Sequence, residues 1–146
     1  MNISAKSKYA VRALVELAHH NDGQPVPIAD IASRREIPLQ FLEQLFSSLR
    51  KAGLLNSHRG VRGGFSFKML PEDISVLDVV EVLDGNVAPS ACTAGAACNK
   101  IDNCVVKDVW TDVKTCVEDV LSAANIADLA YRESLQREQV KEMYYI

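Results

Sequence analysis

Three cysteines, Cys92, Cys98 and Cys104, stand in a C-x5-C-x5-C pattern within a stretch rich in alanine, glycine and asparagine. Thiolates are ligands for soft and borderline metals. A segment of small residues lets three sulfurs converge, whereas two cysteines six positions apart on a helix would point in different directions. Three thiols cannot pair completely among themselves, so a disulfide framework is a poor explanation. Zinc and iron–sulfur clusters both accept three thiolates, and spacing does not choose between them. The C-x2-C pairs of zinc ribbons and ferredoxins are missing. The fourth cysteine, Cys116, falls among apolar residues at helical spacing and reads as a small buried core residue.

A second group of residues has the chemistry of duplex DNA recognition. Gln40, Phe41, Glu43 and Gln44 open a helical segment. There Gln40 and Gln44 can bond adenine bidentately, and Glu43 can accept from cytosine N4. A carboxylate beside phosphates repels sites that offer it no donor, so Glu43 is expected to set discrimination. Arg59 and Arg62 flank a turn built on Gly60, Gly63 and Gly64, whose lack of side chains permits both the turn and close backbone approach. Lys6, Tyr9, Arg50 and Lys51 are candidate phosphate contacts.

The charge distribution agrees. The net charge of -3 hides a split: residues 1–70 carry ten Lys/Arg against five Asp/Glu, and residues 71–146 six against fourteen. The first half suits a polyanion, while the acidic second half serves another purpose. With 48% hydrophobic and 24% charged residues the chain has a globular rather than disordered composition. No apolar run approaches the roughly 20 residues of a membrane span, and the start is polar and basic, so a cytoplasmic location is expected.

These groups need elements to hold them. Tyr9, Ala10, Ala13, Leu14, Leu17 and Ala18 recur at helical spacing over residues 3–20. Pro25 and Pro27 interrupt the chain, a short helix follows over residues 28–35, and Ile37-Pro38 marks a turn. Residues 39–52 form a further helix with Phe41, Leu42, Leu45, Phe46 and Leu49 inward, stopped by Gly53. Residues 54–58 and 65–68 read as two strands around the Arg/Gly turn. Two helices in a tight turn followed by such a hairpin make a winged helix-turn-helix, its second helix entering the major groove. Ser75 caps a helix over residues 75–83, with Asp78 three residues on. After the cysteine segment, Val105, Val106, Val109, Trp110, Val113, Val117, Val120 and Leu121 form an apolar stripe late in a small chain. A second subunit is the natural cover, since modules of this kind read two half-sites through two-fold symmetry.

Five segments together resemble the family of winged-helix regulators that includes the iron–sulfur cluster regulator IscR, the nitric-oxide sensor NsrR and the cysteine-metabolism repressor CymR. They are residues 4–11, residues 41–46, residues 49–54, the wing from Arg59 to Phe65, and the three cysteines; the likeness spans roughly residues 1–130. The first four mark the superfamily, and the cysteine spacing points to its IscR-like branch. That resemblance implies a homodimer, a [2Fe–2S] cluster on Cys92, Cys98 and Cys104, and control of cluster-assembly genes. One position departs from it. Where IscR-like proteins place a ligating histidine three residues after the third cysteine, this chain has Lys107, and a protonated lysine has no lone pair to offer. The fourth ligand stays open among Asp102, Asp108, a residue of the DNA-binding half or other subunit, and an external thiol. Position 8, acidic in NsrR-like relatives, is Lys8.

The expectation is therefore a mainly α protein with a small β-hairpin wing. It consists of a winged helix-turn-helix domain over residues 1–83, a cluster-binding loop over 84–104, and a dimerisation helix with a C-terminal helical arm over 105–146. Its role would be that of a DNA-binding regulator, a repressor by analogy, and not an enzyme, because no hydrolytic triad or phosphate-binding glycine loop is present. The competing readings are a cluster-free zinc or thiol-switch regulator, a nitric-oxide-sensing repressor, and an electron carrier that would leave the basic half idle.

Overall fold

The computed structural model describes residues 1–97 and 104–145. Six α-helices and one hairpin appear in the order α1 (Ala5–His19), α2 (Ile28–Arg35), α3 (Leu39–Lys51), β1 (Leu55–His58), β2 (Gly64–Phe67), α4 (Val76–Asp84), α5 (Lys107–Ala123) and α6 (Ile126–Tyr144). This is the expected winged helix-turn-helix, with element ends within a residue or two of the sequence reading.

The core forms where the helical stripes meet. Ala10, Leu14 and Leu17 of α1, Ile31 of α2, and Leu42, Phe46 and Leu49 of α3 are sealed from solvent, joined by Leu55 of the hairpin and Val79 of α4. Burying side chains of this size is worth about 1.5–3 kcal/mol each. Phe65 on β2 meets Phe46 edge-on, with ring centroids 5.2 Å apart, which anchors the wing to the core. Leu55 pairs with Phe67 and His58 with Gly64 across the antiparallel ladder. Phe65 also exchanges backbone hydrogen bonds of 2.9 Å with Val26, so the segment before α2 acts as a third, one-residue strand.

That bridge explains one wing glycine. A Cβ at Gly64 would lie 2.2 Å from the Val26 carbonyl oxygen, closer than any side chain permits. Gly63 is similarly closed by the His58 carbonyl at 2.4 Å. Gly63 is demanded by the hairpin turn and Gly64 by the bridge to Val26, whatever the wing touches.

Helix α4 begins on the expected capping box: the Ser75 hydroxyl accepts from the Asp78 amide, and Asp78 accepts from Ser75. Its far end, Asp84, reaches the start of α1, which has no acidic residue in its own first turn. The Asp84 carboxylate accepts from the Ser4 amide at 2.9 Å, from the Ser4 hydroxyl, and from the buried Ser7 hydroxyl at 2.7 Å. Burial alone would raise this carboxyl's pKa. The serine hydrogen bonds and the charge of Lys6 outweigh that and hold it below the usual aspartate value.

The chain then leaves the core and returns to it. Val76 donates to the Ala124 carbonyl at 2.8 Å, and Ile126 donates to Ile74 at 3.0 Å, so the start of α4 and the start of α6 are joined side by side, and the chain leaves the core only after α4. Helix α6 re-enters the winged-helix core through Ile126, fully buried, and Ala130. Helix α5 has no buried residue at all. Cys116, expected in a core, is exposed on it: among the described residues α5 packs mainly against α4, and that contact leaves much of its surface open.

Candidate nucleic-acid interface and thiol segment

On the outer face of α3, Gln40, Glu43, Gln44, Ser47, Ser48 and Lys51 line one open groove. The inward positions of the helix are fixed by Leu42, Leu45, Phe46 and Leu49, so the 3.6-residue period turns Gln40, Glu43 and Gln44 to solvent. Ser48 donates back to the Gln44 carbonyl. Arg50 and Lys51 close the last turn, where cations complement the helix dipole. Lys6 lies with Phe41, Gln44 and Leu83 around a small depression between α1, α3 and α4. Arg59, Gly60 and Arg62 are exposed at the hairpin tip, beside a fully exposed Val61. The structure thus brings together on α3 most of the residues expected to meet bases and puts the wing cations at the hairpin tip.

Two of the expected contacts have a different setting. Tyr9 and Phe41 are half-buried and stack edge-to-face, with ring centroids 5.8 Å apart. Phe41 is therefore held by α1 rather than standing free on the recognition face.

The thiol segment is described in part. Cys92 and Cys104 are free and half-exposed. Cys92 sits in a turn in which its sulfur is 3.1 Å from the Ser90 hydroxyl, and Thr93 donates back to the Ser90 carbonyl. Cys104 stands just ahead of α5, its carbonyl accepting from the Lys107 amide. Cys98, like Asp102, lies outside the described residues. Among those described, no group of three or more His, Cys, Asp or Glu side chains converges on a metal position. The three histidines are engaged elsewhere, His19 with Glu133, His20 with Glu16 and Arg34, and His58 with Ser66. Lys107 opens α5 and is half-buried.

Sequence reasoning missed a buried ionic network. Glu16 on α1 accepts from Arg35 on α2 at 2.7 Å, and Arg35 makes two further bonds of 2.7 Å to Glu133 on α6. His19 and Arg137 complete the surroundings of Glu133. The Arg35 hydrogen bonds depress the Glu133 carboxyl to about 2, against the opposing pull of burial. Burial raises Glu16 too, but His20, Arg35 and Arg137 bring it below its ordinary value. The one signal was Glu16 itself, a charge set among Leu14, Val15 and Leu17 on the inward stripe. Its partner Arg35 lies on another helix, and Glu133, which completes the network, is 98 residues beyond Arg35, out of reach of local pattern.

Comparison with known proteins adds three findings. A family model described as "Rrf2: Iron-dependent Transcriptional regulator" matches residues 3–132. The HTH-type transcriptional regulator IscR of Aliivibrio salmonicida is 35% identical over 137 residues, covering 94% of this chain and 82% of that protein. Among solved structures, T. potens IscR superimposes with a TM-score of 0.73 at 35% identity, covering 91% of this chain and 88% of that one. CymR of B. subtilis, described as its global cysteine regulator, gives 0.75 at 29% identity, covering 90% and 98%.

Proposed function

The chain belongs to the Rrf2 family and is a DNA-binding transcription regulator of the IscR type, not an enzyme; on that premise we propose that it acts as a cytoplasmic homodimer whose operator affinity responds to a [2Fe–2S] cluster on Cys92, Cys98 and Cys104. Among the described residues no helix is long and apolar enough to cross a membrane.

The observation that carries this reading is the position of the thiols. Cys92 and Cys104 are free, partly exposed, and stand on the connection between the DNA-reading core and the helix with the uncovered apolar face. In donor chemistry the set fits: three thiolates on a small-residue segment suit a cluster, and Lys107 cannot complete it while protonated. Bound there, the cluster would supply a redox-sensitive cross-link that exists only when iron and sulfide are available.

The chain's own residues do the rest. Gln40, Glu43 and Gln44 read base edges, with Glu43 rejecting sites that lack a donor. Lys6, Arg50, Lys51, Arg59 and Arg62 hold phosphates, and Gly60 lets the wing tip turn. Val109, Trp110, Val113, Val117 and Val120 of α5 pack against their copies and set the spacing of two recognition helices. Asp84, fixed to α1 by Ser4 and Ser7, ties the start of the thiol segment to the reading core. A cluster bound at these thiols would therefore shift the population of DNA-competent dimers. The regulated genes are proposed to be those of cluster assembly.

Anaerobic reconstitution of the wild type and of each single Cys→Ala variant tests the reading, scored by bound iron, sulfide and duplex affinity. Cys92→Ala, Cys98→Ala and Cys104→Ala should each lose the chromophore, while Cys116→Ala keeps it. Stoichiometric zinc without sulfide would replace the cluster reading with a zinc or thiol switch.

A further inference from the structure

We propose that Arg12, on the outer face of α1, is a phosphate-binding residue of the DNA interface, held in its binding posture by a Tyr9–Phe41 aromatic platform. The inference rests on the DNA-binding reading above and extends that interface beyond α3 and the wing.

Three observations converge on it. First, the Arg12 guanidinium lies over the Tyr9 ring, 5.9 Å from its centroid, within the range of a cation–π contact. Tyr9 in turn meets Phe41 edge-on, and Phe41 belongs to the first turn of α3, next to Gln40 and ahead of Glu43. The cation is thus coupled through two rings to the start of the helix that reads the bases. Second, Arg12 is exposed and uncommitted. Arg34, Arg35 and Arg137 are drawn to carboxylates, whereas among the described residues Arg12 makes no ion pair. Third, the carboxylates near it are already neutralised. In the shallow cleft that Arg12 lines with Arg132, the acidic neighbour is Glu133, which is taken up by Arg35, His19 and Arg137. What remains facing solvent there is the positive charge of Arg12 and Arg132.

An exposed guanidinium held in place loses less freedom on binding than a free one, and its planar fork suits phosphate oxygens. Phosphate oxygens bordering the α3 groove are the anions that a cation at this position would meet. The same geometry gives Tyr9 a role through its ring rather than its hydroxyl: it positions Arg12.

The test is duplex affinity against salt for mixed-sequence DNA and for a duplex selected by the wild type from a random library. Variants are Arg12→Ala, Arg12→Lys, Tyr9→Phe, Tyr9→Leu and the wing double variant Arg59→Ala/Arg62→Ala. Arg12→Ala should bind both duplexes about tenfold more weakly. It should also lower the slope of log affinity against log salt by about 0.9 for each subunit engaged. Arg12→Lys should keep the slope but bind less tightly, Tyr9→Phe should match the wild type, and Tyr9→Leu should weaken binding measured well below its own melting temperature. If Arg12→Ala keeps the wild-type slope while the wing variant lowers it, the assignment of Arg12 is wrong and the DNA reading stands. A wild type without salt-dependent duplex binding would overturn both. An Arg12→Ala protein that melts earlier with an unchanged slope would make Arg12 a purely structural residue.

Discussion

Helices α3 and α5 both carry apolar stripes in sequence, and the molecule buries them to very different extents. On α3, Leu42, Phe46 and Leu49 are wholly buried, and the polar face is what remains for solvent. On α5, Val109 is 53% exposed and Val120 65% exposed, and no residue is buried. A hydrophobic period states that a helix has a face to cover; it does not state what covers it. For α3 the cover is α1, α2 and the hairpin of the same chain. For α5, among the described residues, packing against α4 leaves Val109, Trp110 and Val120 exposed.

Substitutions on the two stripes should separate these roles, and they carry the largest expected effects. Phe46→Ala should cost about 3–5 kcal/mol in chemical denaturation, because a sealed cavity is left in the core. Trp110→Ala should change the unfolding of dilute protein by less than about 0.5 kcal/mol, yet weaken self-association by about thirtyfold in sedimentation equilibrium. Equal destabilisation by both would mean that the α5 face is covered within its own chain.

The ionic network gives a second contrast, between a helix held by charge and one held by grease. With Glu133 near 2 in the folded protein against an ordinary value of 4.5, its contribution is complete above about pH 4.5. It is lost as pH falls toward 2. Denaturation of the wild type should weaken across that window, and Glu133→Gln, weaker at pH 7, should converge on the wild type at the acid end. Parallel pH profiles would remove Glu133 from the account. The smallest effect is expected at the α4 cap. Ser75→Ala should cost about 1 kcal/mol of stability while leaving self-association and the α3 face untouched, as hydrogen exchange along α4 would show.

Much of this was legible in the chain. The α2 span, the Ser75–Asp78 cap, the hairpin and the inward residues of α3 follow from local period and turn chemistry, which act over a few positions. Cys116 was misread because a valine-rich helix looks the same whether its own chain or another covers it. The Glu16–Arg35–Glu133 link was invisible for a different reason: pairing between α1, α2 and α6 is set by tertiary packing, and only an out-of-place Glu16 hinted at it. At the candidate interface, residue types pointed to Gln40, Glu43, Gln44 and the wing arginines. They could not show Phe41 turned against Tyr9, or Arg12 resting on the same ring.

The side-by-side joining of the chain at Val76 and Ala124 has an evolutionary consequence. An excursion whose two ends are hydrogen-bonded at one place can be lengthened, shortened or rebuilt without moving the points where it joins the core. In chain-entropy terms, even doubling such a loop costs only about 0.6 kcal/mol. The part of that stretch beyond α4, thiols and α5 included, is in this sense a replaceable cassette, while α4 itself stays packed in the core. Selection can exchange the chemistry of that stretch while the winged-helix core and α6, its clasp, keep their packing. A lysine at position 107 is the kind of change that such an arrangement tolerates.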